Sequence, residues 1–165
     1  MTLEMDSVPA NSESLTPEQR QNSASLFKAY DIRGVVPDEL NPAIAYEIGR
    51  ALVATLDVAS VVVGRDMRVS GPALSAALMD GIRDAGADVV DVGMVSTDGL
   101  SFAIGHYGFP AGVMVTASHN PAEYNGFKIA RSEARALSLS DGLDLIRDRV
   151  VADDLPPTVP ASERG

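Results

Sequence analysis

Apolar and polar positions along the chain fall into alternating periods of four and runs without period. Asn41-Pro42 offers an N-cap followed by proline at the first helical position, and Ile44, Ile48, Leu52 and Leu56 then recur every four residues on one face. Val61-Val62-Val63 is a β-branched run that stops at Gly64, as a buried strand would. A second helix opens near Pro72, turns Leu74, Leu78, Ile82 and Ala85 inward, and stops at Gly86. Val89–Val92 follows as a strand, then a helix over Thr97–Tyr107 capped by Thr97 and closed by Gly108. Ala111–Thr116 and Gly126–Ala130 are two further strands, and Leu139–Val150 is a last helix. Short strands separated by helices predict an α/β domain of three layers, with a four-stranded, mixed, mostly parallel sheet. The ten positions from Thr116 to Gly126 are too few for a crossover helix, so the last two strands should pair antiparallel. No internal repeat is present.

Outside this alternation the chain is polar. Residues 1–24 show no sustained period and read as a disordered leader. Asp153–Gly165 holds three prolines within five residues and reads as a linker, with the domain proper over 25–152. A linker at the end of a chain leads to the expectation that a second domain is missing from it.

Composition narrows the function. The 165 residues carry a formal net charge of −10, which disfavours nucleic acid and anionic membrane as partners. Cysteine is absent, so disulfides and thiolate metal sites are excluded. No apolar run approaches the ~18 residues of a membrane span, and the N-terminus lacks the basic-then-apolar order of a signal peptide. A cytoplasmic protein is expected. The two histidines have no H-x-x-x-H spacing, and neither nucleotide-binding glycine motifs nor a G-x-S-x-G serine elbow occurs.

Three polar loops carry the candidate chemistry: Lys28-Ala-Tyr-Asp-Ile-Arg-Gly34, Gly64-Arg-Asp-Met-Arg-Val-Ser-Gly71 and Thr116-Ala-Ser-His-Asn-Pro121. The last two directly follow strands, where working loops of open α/β sheets lie. Gathered there, Arg33, Arg65, Arg68, Ser118, His119 and Lys128 would suit an anionic ligand such as phosphate. Asn120-Pro121 favours a turn that would expose Ser118. Two readings stay open on these residues alone. Ser118 and Asn120 could be ordinary turn formers beside a surface histidine, with the arginines paired locally to Asp31 and Asp66. Alternatively, Ser118 is a nucleophile helped by Lys128, which follows the Asn125-Gly126 turn on the returning strand.

Thr116–Pro121 is similar to the active-site signature of the α-D-phosphohexomutase superfamily, and Asn125-Gly-Phe-Lys128 matches its continuation. Lys28–Gly34 resembles the opening motif of the phosphomannomutase/phosphoglucomutase branch rather than the Phe-Gly-Thr-Asp-Gly-Ile-Arg-Gly type of the phosphoglucosamine mutase branch. Gly64–Gly71 fits the superfamily loop after the first core strand. The resemblance covers roughly Leu26 to Val151 and departs from it at Thr97-Asp98, where many members have Thr-Pro. It implies domain I of a four-domain mutase. Ser118 would carry a phosphate, exchange it with a hexose phosphate through a bisphosphate intermediate, and lend a phosphate oxygen to Mg²⁺. Lys128 would move a proton at the sugar hydroxyl or hold the phosphate, and His119 and Asn120 would shape the loop. Tyr30 and Arg33 would line the site, with Asn120 and Lys128 also facing substrate, while Arg65 and Arg68 could be site or scaffold. Glucose 1,6-bisphosphate would act as activator. The metal, sugar and distal-phosphate motifs of domains II–IV do not occur, so the resemblance implies little or no turnover by these residues alone. The alternatives are a stand-alone phosphosugar-binding module without turnover and the phosphoglucosamine mutase branch.

Overall fold

A computed structural model describes residues 14–160 and 162. Five helices and five strands alternate along them: α1 (Pro17–Ser23), β1 (Ile32–Val35), α2 (Pro42–Leu56), β2 (Ser60–Arg65), α3 (Gly71–Asp84), β3 (Asp88–Met94), α4 (Thr97–Tyr107), β4 (Ala111–Val115), β5 (Tyr124–Arg131) and α5 (Leu143–Ala152). Their sheet has the order β1-β5-β4-β2-β3. β2 pairs parallel with both β3 and β4, whereas β5 lies antiparallel between β4 and β1. Four strands therefore share one direction and β5 alone runs against them, which bears out a mixed, mostly parallel sheet and the expected antiparallel return. The strand count is corrected from four to five. β1 is only four residues long and sits inside a polar loop motif, too short to show a period of its own.

The two faces of the sheet are covered unequally. Val61, Val63, Val113, Val115, Phe127 and Ile129 join the core cluster that includes Ile48 and Leu52 of α2, Leu74, Leu78 and Ile82 of α3, and Ile146 and Val150 of α5. On the other face Val62 and Met114 meet Leu100 and Ile104 of α4 in a cluster of four buried residues. The predicted inward stripe of α2 holds, with Leu56 at its end only half-buried. α2 and α3 cross with almost no side chain between them. A Cβ on Gly81 would lie 2.0 Å from the Tyr46 carbonyl oxygen, and one on Gly49 2.3 Å from that of Leu78.

The disordered leader expected over 1–24 is corrected where it can be seen; residues 1–13 lie outside the described ones. Thr16 caps α1 in a reciprocal box, its hydroxyl accepting from the Gln19 amide at 3.2 Å while the Gln19 side chain accepts from the Thr16 amide at 2.8 Å. Arg20 then buries its guanidinium, donating to the Val150 carbonyl at 3.1 Å and pairing with Glu47 at 3.3 Å and Asp153 at 2.7 Å. α4 is capped by Ser96, one residue before Thr97, and the last helix splits: Leu139–Asp141 is a 3₁₀ turn and α5 starts after Gly142. No helix among the described residues is long and apolar enough to cross a membrane.

Candidate active site

Strand register brings the polar loops to one place. Ile32 and Val115 both lie opposite Phe127, so Arg33, opposite Gly126, is level with the first residue beyond β4. Arg33 and Lys128 belong to the α4 side of the sheet, because each is one position removed from core-facing Ile32, Phe127 and Ile129. Arg33 donates from Nη1 to Asn120 Oδ1 at 2.7 Å and from Nη2 to Asp31 Oδ2, which ties the first loop to the third. Asp31 Oδ2 also lies 3.9 Å from Lys128 Nζ, so one carboxylate is shared by both cations. Arg33 Nε is buried and has no hydrogen-bond partner.

Ser118 sits at the exposed tip of the loop with a φ of 54°, a left-handed conformation that strains any residue with a Cβ. Its hydroxyl is 3.1 Å from His119 Nδ1, and its amide donates to Thr116 Oγ1 at 3.0 Å. The Thr116 hydroxyl donates in turn to Asp66 Oδ2 at 2.7 Å, and Asp66 is 3.3 Å from Arg68 Nε. Arg68 donates to the carbonyls of Ser118 (3.0 Å), Asn120 (2.7 Å), Pro121 (2.7 Å) and Tyr124 (2.9 Å).

The residues singled out from sequence thus divide. Arg33, Asn120, Asp31, Lys128, Ser118 and His119 form a linked group with a hydroxyl and two cations. Arg68 belongs to the same place as scaffold, with its donors turned into the loop. Arg65 is not drawn in: its ion pair, at 3.8 Å, is with Asp91 on β3. Tyr30, 71% exposed, instead lines a shallow cavity of about 420 Å³ with Leu139, Asp144 and Arg147. Thr116 is the member that sequence reasoning missed. Its place two residues before Ser118 is visible in the sequence, but its bond to Asp66, fifty positions away, is not. Among the described residues no group of three or more His, Cys, Asp or Glu could hold a metal ion. Ser118 presents an exposed hydroxyl on a loop that Asn120 joins to Arg33, and Arg33 shares Asp31 with Lys128.

Comparison with known proteins gives a consistent result. The sequence profile of "Phosphoglucomutase/phosphomannomutase, alpha/beta/alpha domain I" matches residues 24–155. The chain is 53% identical over 127 residues to "Phosphohexose mutases" of Xanthomonas campestris pv. campestris, covering 77% of this chain and 28% of that one. It is 46% identical over 137 residues to a "Phosphomannomutase" of Klebsiella pneumoniae, covering 83% of this chain and 87% of that one. A crystal structure of a phosphoglucomutase/phosphomannomutase family protein from Burkholderia thailandensis superposes with a TM-score of 0.75 at 42% identity, over 82% of this chain and 31% of that one. Apart from the Klebsiella protein, the chain spans about 30% of the length of these relatives.

Proposed function

The chain belongs to the phosphoglucomutase/phosphomannomutase family as its α/β/α domain I, and from that premise we propose that Ser118 carries the phosphoryl group of a hexose-phosphate mutase. The observation that carries this reading is the Ser118 hydroxyl, exposed at the tip of a strained, braced loop whose Asn120 bonds Arg33, the arginine that shares Asp31 with Lys128.

The reaction is an exchange between mannose or glucose 6-phosphate and the corresponding 1-phosphate. The bond from phosphorus to Ser118 Oγ breaks as a sugar hydroxyl oxygen bonds to phosphorus, giving a bisphosphate. That species returns its other phosphoryl group to Ser118 Oγ. The sugar hydroxyl must lose a proton in the first step. Lys128, half-exposed and held only by a 3.9 Å contact to Asp31, exchanges that proton or clasps the phosphate. Arg33 brings its guanidinium charge towards the phosphoryl group, while His119 at 3.1 Å orients the hydroxyl and Asn120 relays Arg33 to the loop.

Mg²⁺ fits this chain only through an oxygen of phosphorylated Ser118. With no carboxylate cluster beside it, the ion's other donors come from solvent or from outside the described residues. When bound it neutralises charge on the phosphoryl group. Contacts to the sugar and its distal phosphate are likewise assigned to further domains of the longer enzyme, so the 165 residues alone give no turnover. A cytoplasmic location goes with this metabolic role.

Incubating the purified chain with glucose 1,6-bisphosphate and Mg²⁺, then weighing the Ser118 peptide, tests the reading. The expected result is the mass of one phosphoryl group on Ser118, absent from Ser118→Ala. A peptide that never gains phosphate under any loading condition removes Ser118 from the role. Mutase turnover by the 165-residue chain would overturn its assigned incompleteness.

A further inference from the structure

We propose that Arg68 is a positioning residue that sets the Ser118 loop in its reactive shape before substrate arrives. The purpose of that shape rests on the mutase reading; the bracing does not.

A guanidinium has five N–H donors in a rigid planar fork. In Arg68 the two on Nη1 serve the Pro121 and Tyr124 carbonyls and the two on Nη2 serve those of Ser118 and Asn120. The fifth, on Nε, is buried 3.3 Å from Asp66 Oδ2 in an ion pair without making a hydrogen bond. With its four Nη donors engaged and Nε buried, Arg68 turns no donor to solvent, so it is not a ligand for the transferred group.

Four carbonyls aimed at one cation curl residues 118–124 around it, and the cation is itself fixed from behind. Asp66 Oδ1 accepts from the Arg68 amide at 3.0 Å, and its other oxygen accepts from the Thr116 hydroxyl at 2.7 Å. Ser118 is thereby held at both ends of its own backbone. Its carbonyl is bound by Arg68, and its amide by Thr116 at 3.0 Å. A serine with a φ of 54° persists only where its surroundings over-determine it. Arg68 and Asp66, 11% and 16% exposed in their side chains, provide that determination from the neighbouring loop.

Arg68→Lys keeps the charge but replaces the fork with a single ammonium that cannot span four carbonyls. Amide hydrogen exchange by NMR in the 165-residue chain should quicken about tenfold at Asn120 and Tyr124, with the β4 amides unchanged as the mark of an intact fold. Ser118 loading from glucose 1,6-bisphosphate should slow about tenfold to a hundredfold. In Arg68→Gly, millimolar guanidinium should restore loop protection without raising the melting temperature, which general stabilisation would not do. Unchanged loop protection in Arg68→Lys overturns the proposal, as does unchanged loading in a chain whose wild type takes phosphate, or failed rescue in a folded Arg68→Gly chain. A wild-type chain that takes no phosphate while its loop amides still depend on Arg68 leaves the bracing role standing and sinks the mutase reading instead.

Discussion

The two faces of the sheet are built to different ends. On one, α2, α3 and α5 press Ile48, Leu78, Ile82 and Ile146 against β2, β4 and β5, and every one of these side chains is fully buried. On the other, α4 covers Val62 and Met114, while the same-side positions of β5 and β1, among them Tyr124, Lys128, Arg33 and Val35, stay half-buried. Apolar area removed from water stabilises at about 25 cal/mol per Å², so the first face holds most of the stability. The second keeps ionised groups near water, where they remain charged at little cost. The proposed chemistry lies where burial is incomplete.

The sharpest way to break this contrast is at the α2–α3 crossing. Gly81→Ala forces a Cβ to within 2.0 Å of the Tyr46 carbonyl oxygen, backbone that cannot yield locally. It should cost about 3 kcal/mol in urea unfolding, near the upper end for overpacking. A loss too small to resolve would mean that the helix pair slides freely and is not the seat of stability. A smaller effect of opposite sign is expected at the Ser118 loop. Ser118→Gly relieves the left-handed strain at 54° and should raise stability by about 1 kcal/mol while abolishing phosphate uptake. A destabilised Ser118→Gly chain would show that the loop is unstrained.

The smallest effect lies back on the covered face and depends on pH. Burial, and then the bond that the Tyr46 hydroxyl donates to Asp84 Oδ2 at 2.7 Å, push the Tyr46 phenol from 10.0 up to about 12. The unfolded chain loses this proton near pH 10 and the folded chain near 12, so the folded state binds more protons between those values. The contribution is complete below pH 10 and is lost as pH rises towards 12. Tyr46→Phe should flatten that decline in urea midpoints measured across the window; an equally steep decline in the variant would assign it to other groups.

Much of this organisation is legible in the chain itself. Ile44, Ile48 and Leu52 announce α2 by spacing, and Val61–Val63 announces β2 by composition, because tertiary packing there agrees with local preference. α1 escapes because its seven residues are all polar apart from Pro17, although Thr16 and Gln19 carry a capping-box spacing that could have flagged it. β1 escapes because four residues supply no period and its pairing partner lies about ninety positions on, at Tyr124–Phe127. At the site, the Ser118 loop is readable as a motif and Lys128 as its return. The division of labour between Arg33 and Arg68 is not. It depends on which carbonyls and carboxylates the fold brings up, and main-chain carbonyls have no sequence signature.

Arg20 has a consequence for how the domain comes into being. Its partners at Val150 and Asp153 are synthesised last of all the elements described, some 130 residues after it. During translation the cation must wait, hydrated, while the sheet between is made, since Glu47 alone offers it a single contact at 3.3 Å. α1 can therefore complete these contacts only once α5 has been made.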